Sequence, residues 1–348
     1  MDDAFLLLDR VTVRGRERPV LDRLSLTLAR GQTLALLGPE SAGKTAALLA
    51  LAGFLRLAEG TIRLAGRDIT AAPPHRRDIG FVPREDTLFP HISVLDNVAF
   101  GLKMRRVPRA GRRARAAATL AALGLAPLAA RHPARLDAIA RRQLAFARAV
   151  APRPALLLLD EPDAPAQAEA IHDALRAACR AEPLTTVLAT RDRAAAFGLA
   201  ARVALLRAGR LEQLGTPQEL FEHPANRFVA GFTGPCNLLA ATLLGTTGAG
   251  AVIKLARGTA NAQPRPDLVP GKVLVCLRPH RLRPQPDGPV RGPVEDVAYQ
   301  GAMTRVTLRL PEGPLVADLA QAPPGLARGT ELALGWNTAD AWLLPAEA

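Results

Sequence analysis

Gly38-Pro39-Glu40-Ser41-Ala42-Gly43-Lys44-Thr45 decides the reading of this chain, because it fits the pattern G-x-x-x-x-G-K-[ST] at a point where the sequence changes character. Before it, TLALLG (Thr33 to Gly38) reads as a buried strand entering a glycine turn; after it, AALLALAGFL (Ala46 to Leu55) is built of good helix formers. Such a strand–turn–helix passage wraps successive backbone N–H groups and a helix N-terminus around phosphates. Lys44 then neutralises phosphate charge, and the Thr45 hydroxyl is placed to hold Mg²⁺. Only four of the 45 basic residues are lysine, so a compact ammonium at this position is not explained by composition.

Working outward, Ala155 to Glu161 (ALLLLDE) is an apolar run ending in two carboxylates. Next to a phosphate loop, Asp160 is expected beside the Mg²⁺ and Glu161 where it polarises an attacking water. Strand-like and helix-like segments alternate across this region, which argues for a parallel sheet covered on both faces. A helical stretch rich in Ala, Leu and Arg occupies about 84–151, and VALLRAGRLEQLG (Val203 to Gly215) reads as a hairpin with Gly209 in its turn. Near Phe232 to Asn237 the composition shifts. From there VIKLARG, GKVLVCLRP, GPVEDVAYQGAMTRVTLRLPEG, GPLVADL and ELALGWN are strand-like pieces between Gly/Pro turns, which predicts a small all-β, barrel-like domain.

At 348 residues, 49% hydrophobic and 22% charged, the chain is long enough for two globular domains. No apolar run reaches the roughly 18 residues a membrane span needs. The acidic start MDDAFLLLDR lacks a basic leader, and Cys179, Cys236 and Cys276 have neither disulfide-framework nor metal spacing, so a cytoplasmic setting is expected. The net charge of +13 would suggest nucleic acid or an anionic surface, but the excess is arginine spread along the chain. Arg-rich pieces such as Arg105 to Arg115 read as solvated helix faces, the β-region has almost no aromatic platform for base stacking, and no nucleic-acid partner is expected.

With both motifs in place, the chain resembles the ATP-binding subunits of ATP-binding-cassette (ABC) importers. TLFPHISVLDNVAFGLKMR (Thr87 to Arg105) looks like the stretch such subunits present to the membrane permease. GRLEQLGTPQELFEHPANRFVAGFTGPCNLL (Gly209 to Leu239) resembles the segment leading to the C-terminal β-domain of the polyamine, ferric-iron, sulfate and sugar subfamily, and CLRPHRLRP with GPVEDVAYQG (Gly292 to Gly301) resembles that transport-associated, OB-like domain. The resemblance implies an α/β P-loop ATPase domain over 1–234, with its helical subdomain at about 84–151, followed by an OB-like β-barrel over 235–348. It implies ATP and Mg²⁺ as cofactors, with Gly38 to Thr45, Arg84 and Arg191 around the nucleotide, Thr45 and Asp160 on the metal and Glu161 catalytic. Permease subunits and a second ATP-binding subunit, the same or different, are the implied partners at the cytoplasmic face of the cell membrane. A polyamine solute is the expected cargo; the alternative is a hydrolysis-deficient structural or regulatory subunit.

Five departures from the family pattern favour weak hydrolysis. Arg84 stands where the family has glutamine. The signature Leu-Ser-Gly-Gly-Gln reads Leu136-Asp137-Ala138-Ile139-Ala140, which is expected to aim the Asp137 carboxylate at a phosphate and to crowd a close backbone approach with Ile139. Ala164-Pro165-Ala166-Gln167 replaces Ser-Ala-Leu-Asp, and Arg191 replaces the γ-phosphate histidine. No aromatic lies between Phe5 and Phe54 to stack on adenine, leaving Arg14 or Arg16 as candidates.

Overall fold

The computed structural model describes residues 4–85, 87–160 and 165–346. It divides into two compact units, Met1–Pro217 and Gln218–Ala348.

In the first unit, β1 (Leu6–Val13), β2 (Leu21–Leu28), β3 (Thr33–Leu37), α1 (Lys44–Ala52), β4 (Glu59–Leu64), β5 (Arg67–Asp68) and β6 (Ile79–Val82) lead into the helices α2 (Val94–Met104), α3 (Arg109–Ala122) and α4 (Ala138–Val150). They are followed by β7 (Leu156–Asp160), α5 (Pro165–Ala181), β8 (Thr186–Thr190), α6 (Arg193–Leu199), β9 (Arg202–Arg207) and β10 (Arg210–Gly215). The central sheet has the order β10-β9-β3-β8-β7-β6, parallel from β9 to β6. β3, β7 and β8 are buried at every position, which is why their centres are continuously apolar rather than alternating. Only β10 joins antiparallel, through the expected hairpin at Gly209. A second, antiparallel sheet, β2-β1-β4-β5, alternates along β2 and shares one core with α1 and the inner residues of β3 and β7.

Helices α2 to α4 form the expected helical subdomain around their own core, where Val94, Val98, Leu102, Leu120 and Leu144 are inaccessible to solvent. α4 is buried on two stripes. Ala140, Leu144, Ala147 and Ala151 face the helical core, while Ala145, Phe146 and Ala149 pack with β6, β7 and α5. Among the described residues no helix is long and apolar enough to cross a membrane.

The second unit begins within α7 (Pro217–Glu222) and continues with α8 (Arg227–Thr233), so these two helices, which the sequence reading placed with the ATPase domain through residue 234, count with the β-domain. Then come β11 (Asn237–Thr247), β12 (Gly250–Leu255), β13 (Gly258–Ala262), β14 (Gly271–Leu277), β15 (Arg283–Pro284), β16 (Val290–Tyr299), β17 (Thr304–Leu310), β18 (Gly313–Leu319), β19 (Glu331–Gly335) and β20 (Ala341–Pro345). They make two five-stranded antiparallel sheets, β13-β12-β11-β14-β20 and β15-β19-β16-β17-β18, whose inner faces bury one core in an OB-like barrel. Arg278, 4% exposed, ties α7 and α8 to the end of β14: its guanidinium donates to the carbonyls of Phe221, Ala230, Gly234 and Pro235 and to the Thr233 hydroxyl, and lies over the Phe221 ring at 4.0 Å.

Candidate nucleotide-binding site

The C-terminal ends of β3, β7 and β8 open onto a cleft of about 750 Å³, the expected place for a ligand in an open α/β sheet. Its wall holds Glu40 to Ala46 from the phosphate loop, Arg84 after β6, Asp160 at the end of β7, and Thr190 and Arg191 at the end of β8. Residues scattered over 150 positions thus meet as the motifs require. Glu161 and Ala164 lie outside the described residues.

Two glycines make the loop possible. Gly43, the N-cap of α1, has φ +98°, and a Cβ there would sit 2.8 Å from the Val20 carbonyl. Gly38 has φ +155°, and a Cβ on it would collide with the Leu206 carbonyl. Only a residue without a side chain lets the backbone turn here and present the first N–H groups of α1, which have no intrahelical acceptor, to an anion.

Lys44 folds back over this turn, donating from Nζ to the carbonyls of Gly38 (2.7 Å) and Pro39 (2.6 Å). Burial lowers its pKa to about 8, and Arg191 and Arg84 push the same way against Asp160 and Glu40. The Lys44 ammonium therefore rests on weak neutral acceptors in a site that already holds two arginines, a setting that phosphate oxygens relieve. Thr45 Oγ1 donates to Asp160 Oδ2 at 3.0 Å. Burial raises the Asp160 pKa, opposed by the Thr45 hydroxyl and then by Arg84, Arg142 and Lys44. A hydroxyl and a carboxylate, both hard oxygen donors, fit Mg²⁺ held jointly with phosphates. No cluster of three or more His, Cys, Asp or Glu side chains suited to a self-sufficient metal cage occurs among the described residues.

Arg142 was not singled out from the sequence. It is 1% exposed, and its guanidinium donates to the carbonyls of Pro83, Arg84 (3.2 Å) and Asp160 (2.6 Å), tying α4 to the two segments that carry Arg84 and Asp160. Its signal was available: it stands three, four and seven positions before Ala145, Phe146 and Ala149, on the second buried stripe of α4.

Asp137 is exposed and is the N-cap of α4, and its Oδ1 accepts the Ala140 N–H at 2.7 Å. The carboxylate thereby occupies a donor at the helix N-terminus that the family's signature would turn to a phosphate, while Ile139 beside it stays 41% exposed. Arg14 and Arg16, the candidates for stacking on adenine, are exposed and are not among the cleft's lining residues, whereas Val20 is. The far wall, unforeseen, is the face of α5 bearing Glu169, His172 and Arg176.

In the segment Thr87 to Arg105, Asn97 is fully buried. Its side chain accepts from the Phe89 N–H and donates to the carbonyls of Phe89, Ile92 and Ser93 at 2.9–3.2 Å, shaping the turn before α2. Ser93 and Asp96 form a reciprocal cap on that helix. Phe89 packs on Phe100 and under Arg148, leaving Pro90 and His91 exposed at the tip.

Residues 21–164 match the ABC transporter family and residues 275–344 the TOBE domain. The chain is 36% identical to the spermidine/putrescine import ATP-binding protein PotA of Frankia alni, over 95% of this chain and 77% of that protein. It is 34% identical to the putative 2-aminoethylphosphonate import ATP-binding protein PhnT of Salmonella typhimurium, over 97% and 95%. With the sulfate/thiosulfate import ATP-binding protein CysA 2 of Chromobacterium violaceum the identity is 40%, over 84% and 80%. Among solved structures, the ATP-binding cassette MJ0796 in a dimeric, post-hydrolysis state bound to ADP and Pi superposes with a TM-score of 0.55 at 24% identity, covering 61% of this chain and 98% of that one; this likeness concerns the fold.

Proposed function

This chain belongs to the ATP-binding subunits of ABC importers that carry a C-terminal TOBE domain, and from that premise we propose that it binds ATP–Mg²⁺ at Gly38 to Thr45 and Asp160 and drives solute uptake through a membrane permease, turning ATP over slowly. The observation that carries the reading is the junction of Lys44, Thr45 and Asp160 at the mouth of one cleft, with Thr45 hydrogen-bonded to Asp160. ATP binding is the family's activity. In this chain the loop amides and Lys44 cradle the phosphates, Thr45 and Asp160 hold the metal, Arg84 and Arg191 supply further positive charge, and Glu161 is the residue proposed to orient water. The protein works at the cytoplasmic face of the membrane, paired with a second ATP-binding subunit.

The cargo proposed is a small charged solute of the polyamine kind, supported by the likeness to the PotA proteins over most of this chain. The PhnT and CysA 2 likenesses are of similar strength, so uptake of labelled spermidine, 2-aminoethylphosphonate and sulfate by cells with and without the gene decides among them. A second reading, a hydrolysis-deficient structural or regulatory subunit, is favoured by the self-capped Asp137. Equilibrium titration of the purified protein with a fluorescent ATP analogue tests the nucleotide site: Lys44→Ala is expected to weaken binding at least tenfold, about 1.4 kcal/mol or more. Equal binding by both proteins, or none by either, refutes the proposal.

A further inference from the structure

In the β-domain, β11 pairs with β14 in the register Asn237↔Leu277 and Leu238↔Cys276, and β14 pairs with β20 so that Cys276 lies beside Trp342. Side chains alternate across these strands. Val273, Val275 and Leu277 point into the barrel core, and Leu274 and Cys276 point to the outer face, where they pack with Leu238, Trp342 and Leu344 beneath Ala230 of α8. Cys236, one step before β11, falls on that same outer face, diagonal to Cys276. The two thiols pack in one cluster, close enough for each to shift the other's ionisation.

Both cysteines sit on backbone that is pinned. Arg278 holds the carbonyls of Gly234 and Pro235, the two residues before Cys236. Asn237, the residue after it, donates to the carbonyls of Leu277 (3.3 Å) and Val316 (2.8 Å) and accepts from the Val316 N–H (2.8 Å). Leu277 and Arg278 in turn directly follow Cys276. The sulfur contact is thus set from both sides by hydrogen bonds that do not involve sulfur.

We propose that Cys236 and Cys276 are a reversible oxidation site, closing to an intramolecular disulfide when the protein meets a peroxide. Cys236 is the attacking thiol, since it is partly exposed while Cys276 is 3% exposed. The neighbouring Cys276 thiol lowers the Cys236 pKa to about 7 against the effect of burial, with help from Arg278 and Arg227, which favours the thiolate at Cys236 over Cys276. The Cys276 thiol is pushed the other way, first by Cys236 and then by burial. The Cys236 thiolate attacks one peroxide oxygen, the O–O bond breaks, and the leaving hydroxide takes a proton to become water. Cys276 then gives up its proton and attacks the sulfenic sulfur, the S–O bond breaks and a second water leaves. Two thiols are oxidised by two electrons, and one peroxide is reduced. Closure to a bond of about 2.05 Å falls on rotation of the Cys236 side chain, since the backbone on either side of it is held and Cys236 itself lies outside the β-ladder. The resulting bond fastens the exit of α8 to β14, and cellular thiols reopen it.

The test is treatment of the full-length protein with one equivalent of hydrogen peroxide, followed by thiol titration and non-reducing peptide mapping by mass spectrometry. The expected result is a Cys236–Cys276 linked peptide, loss of two titratable thiols with Cys179 still free, and recovery on adding dithiothreitol. Cys276→Ser should instead leave Cys236 as a sulfenic acid trapped by dimedone, and Cys179→Ser should form the link as wild type does. The thermal melt of each variant shows whether it is folded. Over-oxidation of Cys236 without linkage, a link between different chains, or reaction at Cys179 while the pair stays reduced would each overturn the proposal.

Discussion

At the scale of single residues, the charge state of the nucleotide site rests on Lys44. Lys44, with a pKa of about 8, loses its proton just above neutrality. Phosphates bind the ammonium and raise that pKa, so affinity must fall as pH rises through 8 toward 10, by up to roughly tenfold per pH unit. Titration with metal-free ATP across this range should show the fall in wild type and a flat profile in Lys44→Met; a flat wild-type profile would mean that the lysine does not meet the phosphates. Arg142 has the opposite character, a charge committed to structure. Replacing it with Met strands the carbonyls of Arg84 and Asp160, and a loss of about 2–4 kcal/mol is expected in urea unfolding. Lys cannot restore the fork, so Arg142→Lys should recover little of this. A loss below about 1 kcal/mol for Arg142→Met would show that the clamp carries no weight. Lys44 was readable from its motif, because the backbone around it is local; Arg142 was passed over because its three acceptors lie 18 to 59 positions away.

At the scale of elements, the segment Thr87 to Arg105 combines a fold-forming part with a presenting part. Asn97, Phe89 and the Ser93–Asp96 cap build the turn and α2, whereas Pro90 and His91 sit exposed at its tip. Pro90→Ala with His91→Ala should abolish co-purification with the permease while leaving the melting temperature within about 2 °C of wild type, since surface changes away from caps and cores cost within about 0.5 kcal/mol. Asn97→Ala should instead lower stability by several kcal/mol through its stranded backbone groups. If the tip variant still co-purifies, the contact lies on another face. The family resemblance located this segment from its sequence. The division of labour inside it depended on burial, because Phe89 and His91 look equally available until Phe100 and Arg148 cover the first.

At the scale of the whole molecule, the slow turnover we propose follows from two changes: Asp137 caps the α4 N-terminus, away from the cleft, and Arg191 and Arg84 line the cleft in place of the family's histidine and glutamine. Losing one preorganised donor to developing charge costs about 10²–10³ in rate, so steady-state hydrolysis should lie at least that far below an intact family member. Restoring Asp137→Ser, Ala138→Gly, Ile139→Gly, Arg191→His and Arg84→Gln together should raise turnover, and adding Glu161→Gln to the restored protein should remove the gain. Brisk hydrolysis by the unmodified protein, abolished by Glu161→Gln, would refute this account. The phosphate loop, the buried strands and the change from an α/β to an all-β region were determined by the sequence alone. Each rests on nearest-neighbour chemistry: a glycine where the chain must turn, an unbroken apolar run where both faces are covered, a period of two where one face is. The capping role of Asp137, the presence of Val20 rather than Arg14 or Arg16 in the cleft wall, the Arg142 clamp and the meeting of Cys236 with Cys276 were decided only by tertiary structure. In each, a side chain's partner is chosen by which distant strand or helix end packing brings within about 3 Å, and no local pattern of residues encodes that distance.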